Sequence, residues 1–140
     1  MKQLRSYLIF NGNCREAMCF YKACFGGELY LQTVGRSPLS SQMPSEMKDV
    51  IVHAELRNED LVLMGSDMCS ESGLIKGNSI AMALDCSTEM EARVLYKKLA
   101  DGGDINQPLQ QTYWGALFGS LTDKYGRDWL IHHNRSSISP

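Results

Sequence analysis

The sequence predicts an α+β fold of two tandem βαβββ units, and three observations carry that prediction. Two apolar stripes share one spacing, Ala17, Phe20, Tyr21 and Cys24 in the first and Ala92, Leu95, Tyr96 and Leu99 in the second. Residues at i, i+3, i+4 and i+7 fall on one face of a helix. Each stripe runs into a glycine pair, Gly26-Gly27 and Gly102-Gly103. The closing strand patterns also match, Asp60-Leu61-Val62-Leu63 against Asp128-Trp129-Leu130-Ile131. A pattern that restarts in the same order marks an internal duplication.

Taken in order, Arg5 to Phe10 is rich in strand formers and stops at the turn signal Asn11-Gly12. Asn13 with Glu16 three residues on is a capping-box variant that opens the first helix. Gly26-Gly27 ends it, because glycine enters the left-handed region at little cost. Glu28 to Val34 reads as a strand, and Gly35 to Lys48, with two Pro and several Ser, as a flexible loop. Strands Asp49 to Leu56 and Asp60 to Ser66 follow, joined by Arg57-Asn58-Glu59. A polar linker spans residues 67–77.

The second unit starts with a strand from Asn78 to Asp85 and a capping box at Thr88-Glu89-Met90-Glu91. After its helix come strands Asp104 to Gln107, Tyr113 to Leu121 and Arg127 to His133, the last two joined by Asp123-Lys124-Tyr125-Gly126. Residues 1–140 thus read as one domain, with unit 1 at about 4–66 and unit 2 at about 78–134. A sheet covered by one helix leaves its other face open. Two such units side by side would enclose a concave sheet cavity, the natural place for a ligand.

Composition narrows the function classes. Hydrophobic residues make up 44% and the formal net charge is −2, with no basic stripe of the kind nucleic acid requires. No window approaches a membrane span, and the start lacks an apolar signal core, so the expectation is a cytoplasmic protein with neither nucleic-acid nor membrane partners. Cys14, Cys19, Cys24, Cys69 and Cys86 form an odd set without a C-x-x-C pair, which predicts reduced, mostly buried thiols. No G-x-S-x-G, G-x-x-x-x-G-K-[ST] or G-x-G-x-x-G occurs, which argues against a hydrolase elbow and against nucleotide phosphate binding.

These units resemble the vicinal oxygen chelate superfamily, which includes glyoxalase I, extradiol dioxygenases and bleomycin-resistance proteins, and most of all its PhnB-like branch. The resemblance rests on the run from Tyr7 to Ala17, on Phe20-Tyr21 with Phe25-Gly26-Gly27-Glu28, and on His53-Ala54. Leu63-Met64-Gly65-Ser66-Asp67, Trp114-Gly115 and Asp123 to Gly126 with Trp129 complete it, so it covers nearly the whole chain. It implies a homodimer with a small-molecule ligand. Some relatives carry a methyltransferase label, which the absence of a glycine-rich strand-to-helix turn does not support.

In metal-dependent relatives four inward residues of the first and last strands hold one divalent cation, which polarises substrate oxygens. The corresponding positions here are Tyr7, Val62 or Met64, Ser79 and Leu130. None is a carboxylate or imidazole, so the expectation is no metal and no cofactor. His132 shares its phase with Leu130 and should face the cavity, as a general base, a ligand for something new, or only a hydrogen-bonded strand histidine. Tyr7, Trp114 and Phe118 lie on strands that line the concave face in the family and could stack on a flat ligand, although core or dimer contacts suit them as well.

The ligand-binding candidates are therefore Tyr7, Met64, Ser79, Trp114, Phe118 and His132, with Met82 as a further soft wall and no catalytic residue assigned. Three functions stay open: a metal-free dimeric binding protein, a metal-dependent lyase, isomerase or dioxygenase-like enzyme using His53, Glu55 and His132, and an interaction module with a filled cavity.

Overall fold

Residues 2–69 and 72–134 are described by a computed structural model, in which the chain divides into two compact units at Ile75/Lys76. The order in unit 1 is β1 (Ser6–Ile9), α1 (Cys14–Phe25), β2 (Glu28–Thr33), β3 (Ile51–Asn58) and β4 (Leu61–Ser66). Unit 2 repeats it with β5 (Met82–Asp85), α2 (Glu89–Ala100), β6 (Asp104–Gln111), β7 (Ala116–Thr122) and β8 (Asp128–Asn134). Each unit is a four-stranded mixed sheet, ordered β1-β4-β3-β2 and β5-β8-β7-β6. The first strand of each runs parallel to the last, and the other pairs are antiparallel. Neither sheet closes into a barrel, and the βαβββ duplication is therefore the fold.

The core of each unit lies between its helix and one sheet face. In α1 the buried residues are Cys14, Ala17, Met18, Tyr21 and Cys24, which share one helical stripe, while Phe20 is only half-buried. They cover Leu8, Ala54, Leu56 and Leu63, whose alternate neighbours point away. A Cβ on Gly65 would lie 3.2 to 3.3 Å from Phe10, Cys14 and Met18, so the helix lies directly on β4 there. In unit 2, Ala92, Tyr96 and Leu99 pack on Leu117, Leu121, Trp129 and Ile131. Each fully buried aliphatic side chain contributes about 2 kcal/mol.

The glycine pairs act twice over. Gly26, Gly27 and Gly102 have φ of 74°, 90° and 79°, the left-handed region that ends a helix cheaply. A Cβ on Gly27 would land on the carbonyl oxygen of Arg57, and one on Gly103 on that of Thr122. The second glycine of each pair thus lets the chain re-enter against sheet backbone.

Several boundaries differ from expectation. Asn13 makes no side-chain cap on α1. Asp67 serves instead, accepting from Gly12 N and Cys14 N at 2.9 and 3.0 Å through Oδ1 and from Ile51 N at 3.1 Å through Oδ2. A carboxylate there also suits the positive end of the helix dipole. Asp67 is therefore part of unit 1 and not of a linker. The cap of α2 forms as expected, Thr88 Oγ1 accepting from Glu91 N at 3.0 Å, although the Glu91 carboxylate accepts from Ser87 N.

Residues 35–48 are mostly ordered into short 3₁₀ turns, Val34–Arg36, Pro38–Ser41 and Ser45–Met47. The β3–β4 turn sits at Glu59-Asp60, where Glu59 takes φ of 52°. Strand β5 begins only at Met82, so Ser79 lies outside it and is exposed. Strand β6 continues past Pro108 to Gln111, and Tyr113 and Trp114 sit in the turn before β7 rather than in a strand. Among the cysteines, Cys14, Cys24 and Cys86 are buried, Cys19 is exposed and all five are free thiols.

Candidate functional site

Because Gly119 faces α2, with Tyr96 above it, its strand neighbours Phe118 and Ser120 project from the opposite, uncovered face of the second sheet. Strand register sets one row across that face: Gln110 on β6, Phe118 on β7, His132 on β8 and Asp85 on β5. Beside this row a groove of about 400 Å³ is lined by Asn106, Gln107, Pro108, Gln110, Thr112, Trp114 and Phe118. Its walls are two aromatic rings and a proline, and its polar groups are three amides and a hydroxyl.

Local structure explains the walls. The register of β6 against β7 slips between Ile105 and Gln107 and again between Gln107 and Gln110. Such irregularities re-aim side chains, and an edge strand tolerates the proline among them. The Tyr96 hydroxyl, 2.7 Å from Gln107 O and 3.1 Å from Ser120 O, holds the irregular segment from below, and burial pushes its pKa up. The turn before β7 is closed by Thr112, whose N donates to Ala116 O at 2.7 Å and whose Oγ1 accepts from Ala116 N at 3.1 Å. Gly115 completes it at φ of 88°. That turn carries Trp114, 42% exposed, with its ring edge-on to Tyr113 at 4.8 Å.

Next to Phe118, His132 Nδ1 lies 3.0 Å from Asp85 Oδ1. Its neighbour His133 instead places Nδ1 2.9 Å from Cys86 O. On unit 1 the uncovered face has a different character. Tyr7, Met64, Glu55 and Tyr30 form its register row. The Arg57 guanidinium, hydrogen-bonded to Glu55, holds that carboxyl below the ordinary carboxylate range, and Arg5 stands 4.0 Å from it. The Tyr7 ring lies 6.1 Å from that of His53.

The six candidate residues therefore fall into three groups. Trp114 and Phe118 meet in the groove, with His132 beside them. Tyr7 and Met64 are register partners on the other unit. Ser79 belongs to neither sheet. Sequence reasoning missed the amides of Asn106, Gln107 and Gln110, because Pro108 masked the length of β6. It also missed Asp85, although its place at the end of an alternating strand could have signalled it.

The donor set does not fit the metal of the wider fold class. Phe10 N and Cys86 N each donate to the last strand at 2.7 Å, to Ser66 O and His132 O, which fixes the equivalence of the two units. By that equivalence Ala83, not Ser79, matches Tyr7, and Leu130 matches Met64. A phenol, a thioether, a methyl and an isobutyl group make no site for a divalent cation. Within each unit, no three His, Cys, Asp or Glu side chains among the described residues come together as a metal site needs. His53 and Glu55 belong to unit 1 and His132 to unit 2.

Two βαβββ units, each with one bare sheet face, define the glyoxalase/bleomycin-resistance-like class of α+β proteins. Structures of glyoxalase/bleomycin resistance protein/dioxygenase proteins from Burkholderia phytofirmans and Nocardioides share the fold at TM-score 0.59 and 15% identity, a likeness of fold alone. Within that class the chain belongs to the PhnB-like family described as 3-demethylubiquinone-9 3-methyltransferase, whose family model matches residues 2–132. It is 34% identical over 138 residues to Protein YjdN of Escherichia coli K12, covering 92% of this chain and 93% of that protein. It is similar to protein PA1353 of Pseudomonas aeruginosa, with 37% identity, TM-score 0.82 and coverage of 97% and 100% of the two chains. The PhnB protein of Bacillus cereus aligns at 25% identity and TM-score 0.72 over 94% and 99%. Among the described residues no helix is long and apolar enough to cross a membrane.

Proposed function

We propose that the chain is a cytoplasmic, homodimeric small-molecule-binding protein that takes a planar, partly aromatic ligand in the Trp114–Phe118 groove without a metal ion. The observation that carries this reading is the groove itself, about 400 Å³ with an indole and a phenyl ring as walls and the amides of Asn106, Gln107 and Gln110 at its margin. That size and that mix of apolar wall with a few polar groups suit a small organic ligand. The absence of a metal from the proposal rests on the donor chemistry of Tyr7, Met64, Ala83 and Leu130. Methyl transfer does not enter it. The β1–α1 connection, Asn11-Gly12-Asn13, is not a glycine-rich nucleoside loop, and each sheet has a single parallel pair.

Titration with substituted benzamides, read by tryptophan fluorescence, tests the reading. Trp129 is 2% exposed and gives a constant background, whereas Trp114 faces the groove. A saturable change is expected, and Phe118→Ala, which removes the other aromatic wall and keeps the reporter, should weaken it. Failure of every benzamide to give one at millimolar concentration overturns the reading. Native mass spectrometry tests the assembly: a metal-free dimer is expected, and a monomer or a stoichiometric metal ion sinks that part.

A further inference from the structure

One wall residue of the groove is paired in the sheet with a histidine whose free nitrogen is fixed by its neighbour. Phe118, which lines the groove, is the register partner of His132. From the other side β5 brings Asp85, with Oδ1 3.0 Å from Nδ1. A carboxylate can only accept, so the neutral imidazole keeps its proton on Nδ1 and presents a lone pair at Nε2. Nε2 has no hydrogen-bond partner among the described residues, and the side chain is 26% exposed, open to an incoming group but partly shielded from water. Asp85 is the charged group in this register row; Phe118 and Gln110 complete it. The groove's amides both donate and accept, and the Thr112 hydroxyl already donates to Ala116 O at 3.0 Å. A nitrogen that only accepts discriminates where an amide does not.

We infer that His132 is a specificity-determining residue of the groove, selecting planar ligands that carry an O–H donor, a phenol or an enol, by accepting that hydrogen bond at Nε2. Asp85 is its positioning residue, holding the ring in the accepting tautomer. The inference rests on the groove reading above and adds the chemical class of the ligand. No bond to hydrogen is broken: the ligand keeps its proton.

The test compares 4-hydroxybenzamide with 4-methoxybenzamide, the same ring and amide with the donor removed, by calorimetry and Trp114 fluorescence at about pH 7.5. Wild-type protein is expected to bind the hydroxy compound about fivefold to tenfold more tightly. His132→Phe brings that ratio to about one, while a saturable response to the methoxy compound shows that the groove of this variant still binds. His132→Gln, whose amide oxygen can accept, keeps part of the preference. Asp85→Ala lowers the ratio, and Asp85→Asn, which still accepts from Nδ1–H, restores it. If both compounds bind and His132→Phe leaves the ratio as in wild type, the inference falls and the groove reading stands. If neither compound perturbs Trp114 in wild type, both fall together.

Discussion

Removing one buried carboxylate should unlock the hairpin that carries both Phe118 and His132. Asp123 is 3% exposed in the β7–β8 turn. Its Oδ1 accepts from the backbone N–H of Tyr125 at 2.8 Å and of Arg127 at 3.1 Å, and its Oδ2 from the Trp129 indole N–H at 2.8 Å. Hydrogen bonds to a charged group contribute about 1.5–3 kcal/mol each. Asp123→Ala abandons all three donors, but it also removes the cost of burying a charge, and water can reach the two turn amides. A net loss of about 3–4 kcal/mol follows, a large share of an ordinary domain's stability. In melting temperature that is a fall of roughly 10 °C. Asp123→Asn keeps an acceptor for the turn but sets an amide N–H against the indole N–H, so its loss should be about half as large. Urea denaturation followed by circular dichroism, with Trp129 emission as a local probe, measures both. A loss below about 1 kcal/mol for the alanine variant would refute the reasoning, because it would mean that the three donors find equal partners in water.

Two further outcomes follow from the same structure. Gly27→Ala and Gly103→Ala, whose new methyls land on the carbonyl oxygens of Arg57 and Thr122, should each lose more than about 2 kcal/mol in chemical denaturation. Gly12→Ala, at φ of 99° with nothing within 4 Å, should lose only about 1 kcal/mol, and equal losses at all three would remove the clash argument. Burial pushes the thiols of Cys14 and Cys86 up from 9.0 to about 12 and about 11. Unfolded chains therefore release these protons first, so stability should fall as the pH rises from 9 towards 11 and beyond. The Cys14→Ala/Cys86→Ala protein should show a shallower fall over that window in pH-dependent denaturation, and an identical slope would exclude the thiols as its source.

The duplicated frame was legible because its signals are local or repeat themselves. The two helical stripes, the Gly-Gly exits and the Thr88 cap depend on residues a few positions apart. What stayed illegible depends on distant partners. Asn13 has the composition of a cap, yet Asp67 from the far end of β4 satisfies Gly12 and Cys14. Thr112-Tyr113-Trp114 has strand-forming side chains, but the Thr112 hydroxyl and Gly115 bend them into a turn, which is what delivers Trp114 to the groove. Pro108 reads as a strand breaker. It is tolerated because β6 lies at a sheet edge and its register slips there. Ser79 failed on position and not on phase: β5 starts three residues later, and Ala83, on the same alternation, takes the place assigned to it. Phe118 was readable as a candidate from the family resemblance and His132 from its strand phase with Leu130, but Asp85 and the amides needed the register.

The two units agree on one sheet face and differ on the other. On the helix-covered faces they agree in kind, since Leu8, Leu56 and Leu63 and their counterparts must all exclude water. On the opposite faces they differ, and Ser66 is buried at 2% exposure where its counterpart His132 is partly open. Where unit 1 has Ile9 beside Ser66, unit 2 has Asp85 beside His132. Since unit 1 supports the same strand pairing with an aliphatic side chain and a small hydroxyl, the pairing itself requires no ion-capable couple. An imidazole beside a carboxylate on an open face gains little from folding in water. In the binding mode proposed above, a ligand on the adjoining Phe118 would exclude that water and use Nε2 as its hydrogen-bond acceptor. On unit 1, by contrast, the Glu55 carboxylate is already engaged by Arg57 and Arg5.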